Sequence, residues 1–272
     1  MTEVEDNKQA WGLLSQDHYE YYRERLLAGT HALNPIILRE LGDIGGKDVL
    51  HLQCNTGADT VLLARMAESV TGVDFVPENV RYAERLARDC GQDNVRFVES
   101  DIMHLDGKID RLFDVVFTSE GVIGWLPDLT QWAKAIAGHL KPGGFFYVFD
   151  SHPCILTLDE HALQKGELKI RYPYFKKTPD PEDLIGGYAG TAKEGRNYFW
   201  MYTIGDVVNV LSAAWLCIDF LREYDRLFFD MGGMRQDEDG FWVYDALTGK
   251  FPLTFSLKAV KMLCLVPDDF CC

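Results

Sequence analysis

Apolar residues recur along this chain in short solid runs, and segments of helical period lie between them. Residues 49–57 (Val-Leu-His-Leu-Gln-Cys-Asn-Thr-Gly) read as a buried strand that breaks into a tight loop. A helix is predicted at once over 58–66, opened by Asp59 and Thr60. Further strands are predicted over 70–74, 94–101, 113–119 and, behind the turn Lys-Pro-Gly-Gly, 141–150. Between them, 77–90 has Pro77 in its first turn, Gly91 just past its end, and an apolar face of Val80, Ala83, Leu86 and Ala87. The stretch 128–140 is a second such helix, stopped by Pro142, with Trp132, Ile136 and Leu140 as core. Residues 8–43 also read as helical, and Pro35 begins a second helix there.

Strands that alternate with helices imply an α/β fold, a doubly wound and mostly parallel sheet with helices on both faces. In such sheets ligands bind at the carboxyl ends of the strands. Asp74, Asp101, Ser119 and Asp150 all end predicted strands, so one polar rim is expected. The rhythm breaks over 151–204, which is rich in Pro and aromatic residues. It is expected to be an inserted strand pair with a loop, either a lid over the fifth strand or a structural hairpin. Helix returns over 204–215, and 217–224 and 253–265 read as two more strands, with an acidic, Gly-rich loop over 225–250. The expectation is one domain over 1–272, with a helical cap at about 8–43 and a lid at about 151–204.

Composition narrows the function. The chain has 272 residues, 47% hydrophobic and 25% charged, an ordinary globular balance. Its net charge of −15 repels nucleic acid and anionic lipid, so neither is an expected partner. No apolar run reaches membrane-spanning length, and the acidic, polar opening lacks the character of a signal peptide. A cytoplasmic location is therefore expected. The seven cysteines (54, 90, 154, 217, 264, 271, 272) form no Cys-x-x-Cys pair, so buried free thiols and no metal site are expected.

The ordered strands, the acid closing the 70–74 run, the Lys-Pro-Gly-Gly turn and Trp-Leu-Pro-Asp-Leu at 125–129 resemble the class I S-adenosylmethionine-dependent methyltransferases, over about residues 45–150. The resemblance implies a Rossmann-like sheet of seven strands, S-adenosylmethionine as cofactor and a small-molecule methyl acceptor. A homodimer is left open. It also implies a cofactor site. Gln53, Cys54, Asn55 and Gly57 would line the methionine end, Asp74 would hold the ribose diol, and Phe75 would pack on the adenine. Asp101 and Ile102 would meet the adenine edge, and Ser119 and Glu120 would close the site near the sulfonium. One departure is plain. The family's first motif usually reads acid-x-Gly-Cys-Gly-x-Gly, whereas His51 stands here at the acid and Gln53 and Asn55 at two glycines.

The acceptor side is read from residue chemistry. His152 follows the fifth strand and is either a base for the acceptor's proton or part of a chain turn with Pro153. Glu120 and Tyr202 are the other proton-handling candidates. Tyr22, Tyr172, Tyr174, Phe199 and Trp200 are candidate walls of the acceptor pocket. For Trp11, Tyr19 and Tyr22, packing on the core is preferred over closing the cofactor site. Two rival functions stay open. A NAD(P)-dependent oxidoreductase would want Gly-x-Gly-x-x-Gly, and this loop has one glycine. A non-catalytic S-adenosylmethionine-binding protein could share the same fold.

Overall fold

Each solid apolar run of the first 150 residues forms a strand of one sheet. The structure, a computed structural model, describes residues 2–187 and 189–262. In chain order the helices are α1 (Glu3–Leu27), α2 (Pro35–Leu41), α3 (Ala58–Ala64), α4 (Pro77–Asp89), α5 (Leu129–His139), α6 (Glu160–Leu163) and α7 (Ile204–Ala213). The strands are β1 (Asp48–Leu52), β2 (Ser69–Asp74), β3 (Val95–Glu99), β4 (Phe113–Ser119), β5 (Leu140–Ser151), β6 (Asp180–Gly186) and β7 (Ala192–Phe199). They continue with β8 (Leu216–Tyr224), β9 (Arg235–Gln236), β10 (Trp242–Val243) and β11 (Thr254–Lys261).

Seven strands form the main sheet in the order β3-β2-β1-β4-β5-β11-β8. The first five are parallel, and β11 runs antiparallel to both β5 and β8. Alternate residues of each central strand feed two cores. In β5, Phe146 and Val148 pack on one side with Trp132, Ile136, Val207 and Leu211. Tyr147 and Phe149 pack on the other with Ile37, Leu41, Val61 and Leu63. Both faces are covered, which is why the strands are apolar throughout rather than alternating.

The sheet reverses direction between β1 and β4. Chain connections leave β1 toward β2 on one side, while β4 lies on the other, so a crevice opens above their carboxyl ends. The N-terminal segment covers that crevice. Helix α1 is capped by Thr2 and α2 by Asn34, and Pro35 stands in the first turn of α2, as predicted.

The stretch 151–204 does contain a strand pair. β6 and β7 form an antiparallel hairpin separate from the main sheet. It lies along α1: the Asn7 amide donates to the Tyr198 carbonyl at 2.9 Å, and Tyr198 N–H donates back to Asn7 Oδ1 at 2.7 Å. Lys193 reaches the Leu13 carbonyl at 2.7 Å. Residues 225–250, expected as a loop, instead carry the β9–β10 pair and Leu227, Tyr244 and Leu247, which join Leu253 in a small core packed on Ile155, Leu158 and Leu163. Of the cysteines, Cys54 is buried, Cys90 and Cys154 are half-buried and Cys217 is exposed, so burial is not general. Cys264, Cys271 and Cys272, like the predicted strand end at 263–265, lie outside the described residues.

Candidate active site

The loop after β1 is built from residues held in the left-handed region. Gln53 has φ 54°, Asn55 φ 48° and Gly57 φ 81°. Asn tolerates this region and Gln does so at a cost, so the two departures from the glycine pattern keep the glycine backbone. At Gly57 glycine is required twice over. Besides its φ, an added Cβ would lie 2.8 Å from the Ala83 Cβ and 3.1 Å from the Phe97 ring.

Side chains pin this loop from three directions. Asn55 N–H donates to Asp74 Oδ2 at 2.9 Å. Asp74 Oδ1 accepts from Val76 N–H at 3.0 Å and from the Asn79 amide at 3.1 Å. Asn79 in turn accepts from the Ser15 hydroxyl of α1 at 2.6 Å. His18, also on α1, faces Asn55 Oδ1 through its Nδ1 at 3.1 Å. The Gln53 amide donates to the Val122 carbonyl at 2.9 Å, tying the loop to the segment after β4.

That segment is organised by Asp150. Its carboxylate accepts from the N–H groups of Gly121, Val122 and Ile123 at 2.8–3.0 Å, and from its neighbour Ser151. The bonds turn the chain sharply enough to set Glu120 at φ 59°. A strained acid beside a cavity is a pointer toward function.

The cavity lies between these two loops and α1. Its walls include Trp11, Tyr22, His31, Gln53, Asn55, Thr56, Asp59, Asp74, Phe75, Ser119, Glu120 and Trp125. Three carboxylates therefore face it, and no Lys or Arg does among the described residues. Asp59 accepts from the Ser119 hydroxyl at 3.1 Å and stands 3.6 Å from His31 Nε2. Glu120 Oε1 accepts from the Asn34 amide at 3.3 Å. Burial, then the nearby Asp59 charge, pushes the Glu120 carboxyl up to about 8. His51 is buried with its Nδ1 2.8 Å from the Thr60 hydroxyl, and burial pulls it down to about 4, so it is neutral. Three buried polar atoms on the walls, His31 Nε2, Gln53 Oε1 and Thr56 Oγ1, have no hydrogen-bond partner. Such atoms are costly unless a ligand or water meets them.

Of the residues singled out from sequence, the structure brings Tyr22, Gln53, Cys54, Asn55, Asp74, Phe75, Ser119 and Glu120 to this cavity. Gly57 shapes it from behind, as the N-cap of α3. Others do not reach it. The Asp101 carboxylate turns back to Met103 N–H and His104, and Ile102 is core. His152 is buried with both ring nitrogens engaged: Nδ1 accepts from Cys154 N–H at 3.1 Å, and Nε2 meets Glu223 at 2.9 Å. It turns the chain at the end of β5, so the base reading has no geometry to support it. The Tyr202 hydroxyl donates to the Leu126 carbonyl at 2.6 Å and does not face the cavity. Tyr172 bonds to Glu182, Tyr174 packs on Phe175, and Trp200 is buried. Phe199 acts one step removed, edge-on beneath Trp125 at 5.3 Å.

Sequence reasoning missed His31, Asn34 and Asp59. Asp59 in the first turn of a predicted helix reads as an ordinary dipole partner, and nothing local shows that the loop before α2 returns to it. Trp11, expected in the core, lines the cavity, and so does Tyr22, which the sequence offered both as core packing and as a pocket wall. Tyr19 is core as expected, its hydroxyl donating to Asp89 at 2.6 Å.

A larger hollow, about 590 Å³, lies between α2 and the segments around Arg226 and Lys250. Volume does not make it the site. Its Arg226 is already paired with Asp225, Asp237 and Asp239. The cavity over the β1 loop is smaller, about 120 Å³, but holds the unpartnered polar atoms and the strained backbone.

The sheet order and the crevice over β1 and β4 define the class I methyltransferase fold. Residues 49–144 match the model of the methyltransferase domain family. Over that stretch the chain is similar to methyltransferase domains, and its fold is that of solved S-adenosylmethionine-dependent methyltransferases. A ubiquinone biosynthesis O-methyltransferase of Albidiferax ferrireducens is 29% identical over 120 residues, 43% of this chain and 47% of that protein. The chain thus aligns with about half the length of the curated relatives it matches. Among solved structures, a putative S-adenosylmethionine-dependent methyltransferase from Listeria monocytogenes superposes with a TM-score of 0.57 at 18% identity, covering 83% of this chain and 95% of that one. A second, from Clostridium acetobutylicum, gives 0.57 at 17% identity over 91% of this chain and 98% of that one. No helix among the described residues is long and apolar enough to cross a membrane.

Proposed function

We propose that this protein transfers a methyl group from S-adenosylmethionine to a small-molecule acceptor. One observation carries the reading: a loop held in glycine-like conformation, tied to Asp74 and bordered by unpartnered polar atoms, opens into a cavity with three carboxylates and, among the described residues, no Lys or Arg. That donor set fits a ligand carrying positive charge and many polar groups. Asp74 would accept from the ribose hydroxyls, with Phe75 against the base. Gln53, Asn55 and Thr56 would meet the amino-acid end, and Ser119 and Glu120 would flank the sulfonium. The bound cofactor supplies an already activated methyl group, so the chain's own task is alignment and exclusion of water.

The walls contributed by Trp11, Tyr22 and His31 all come from the N-terminal segment. At about 120 Å³ the cavity is below the ~300 Å³ at which pockets for drug-sized ligands begin, so loading requires this roof to lift. Calorimetry with S-adenosylmethionine, S-adenosylhomocysteine and NAD is the test. Micromolar binding of the first two and none of NAD is expected; the reverse order would overturn the reading in favour of an oxidoreductase.

A further inference from the structure

We propose that the acceptor is an amine, bound as its ammonium between Asp59 and Glu120, with Glu120 taking the proton. This rests on the methyltransferase reading and adds the chemical class of the acceptor.

The charge pattern of the cavity favours a cation. Asp59, Asp74 and Glu120 line it, and Asp150 lies directly beneath the Glu120 turn. The groups facing them are the Ser119 hydroxyl, the Asn34 amide, neutral His51, and His31, whose Nε2 is 3.6 Å from Asp59 and so beyond hydrogen-bond distance. His31 is the one side chain on the walls, among the described residues, that could supply an opposing positive charge. Trp11, Tyr22 and Trp125 add aromatic surface, with Trp11 and Trp125 edge-to-face at 5.0 Å, and aromatic faces attract ammonium groups.

A second observation shows that the cavity is built to receive a polar group. Thr56 is only 1% exposed, lines the wall and has no partner for Oγ1. A packing void would be apolar.

The proton balance distinguishes an amine from a hydroxyl. A hydroxyl must shed its proton to become a strong nucleophile, and the resulting oxyanion would sit among buried carboxylates that destabilise it. An ammonium is welcome in the same field. Its N–H bond breaks, the proton passes to a Glu120 carboxylate oxygen, and the electron pair stays on nitrogen as the nucleophile. Once methylated, that nitrogen is again a cation facing Asp59. Positive charge then moves across the cavity instead of vanishing from it. Burial holds Glu120 protonated when the cavity is empty, so an arriving ammonium ionises it and one proton leaves to solvent.

The experiment is calorimetric. Protein saturated with S-adenosylhomocysteine is titrated at pH 7 with benzylamine, phenethylamine, putrescine and N-methylbenzylamine, each paired with the alcohol of matching skeleton, in phosphate and in Tris. Binding by at least one amine over its alcohol is expected, with close to one proton released per site. Glu120→Gln should abolish the proton release, and Asp59→Asn should weaken amine binding by about 10- to 100-fold while the release persists. Binding by alcohols alone, by neither series, or without proton release would overturn the proposal. Failure to bind S-adenosylhomocysteine would instead remove the methyltransferase reading itself, so the two failures are distinct.

Discussion

The backbone N–H of Asn55 donates to the Asp74 carboxylate at 2.9 Å and so joins the tip of the β1 loop to the end of β2. Through Asn79 and Ser15 the same carboxylate is linked to α1. Loop, strand end and roof therefore share one buried acid.

Asp74→Asn places an amide where the loop N–H needs an acceptor, and removes a charged acceptor from the cavity. Cofactor affinity should fall by about 1.5–3 kcal/mol, the range for a hydrogen bond to a charged group, with the fold retained. Titration calorimetry alongside circular dichroism reads this. Unaltered affinity in a folded variant would remove Asp74 from the ribose.

Gly57→Ala meets both a left-handed φ and the Ala83 and Phe97 side chains. The backbone term alone is of order 1–3 kcal/mol. Denaturant unfolding should show at least that loss, and cofactor binding should weaken further because the loop must shift. A variant as stable as the parent would show that the loop relaxes freely.

Glu120 gives the empty protein a pH signature. In the unfolded chain it ionises near 4.5, whereas the folded chain keeps its proton up to about 8. The folded state thus binds more protons between those values, so stability falls as pH rises through this window. Glu120→Gln should flatten that part of the profile and raise the melting temperature at pH 8. Parallel melting curves for the two proteins from pH 5 to 8 would contradict it.

Asp48 acts in the opposite sense. Hydrogen bonds from Ser69, Arg111 and Lys141 outweigh its partial burial and pull its carboxyl from 3.8 to about 2. Its contribution, about 2 kcal/mol, is present above pH 4 and is lost as pH falls through 2. Asp48→Asn should cost that amount at pH 7 and almost nothing at pH 2, by urea unfolding at both values.

The centre of the sheet was legible because its inner strands are buried on both faces, which leaves short apolar runs bounded by turn residues. β4 occupies the predicted 113–119 stretch, and α4 and α7 begin at the predicted residues. The loop after β1 was legible for a different reason, since Asn55 and Gly57 are residues that tolerate its left-handed backbone. The pairings on the far side of the cavity were not. Asp59 meets Ser119 across 60 residues of sequence, and Glu120 meets Asn34 across 86, and neither spacing leaves a local trace. His152 misled because a polar residue at a strand end looks the same whether it faces a ligand or caps a turn. Asp150 likewise serves backbone N–H groups where a rim was expected.

The position of β11 has a consequence for how the molecule is made. This strand lies between β5 and β8, yet β8 precedes it in the chain. During synthesis β8 emerges with no neighbour to pair with, and β5 keeps one open edge until β11 arrives. Both edges expose unpaired backbone and apolar side chains in the meantime, the situation that invites association between chains. Completion of the sheet is therefore a late, long-range step, and β8 joins the sheet only through a strand made after it.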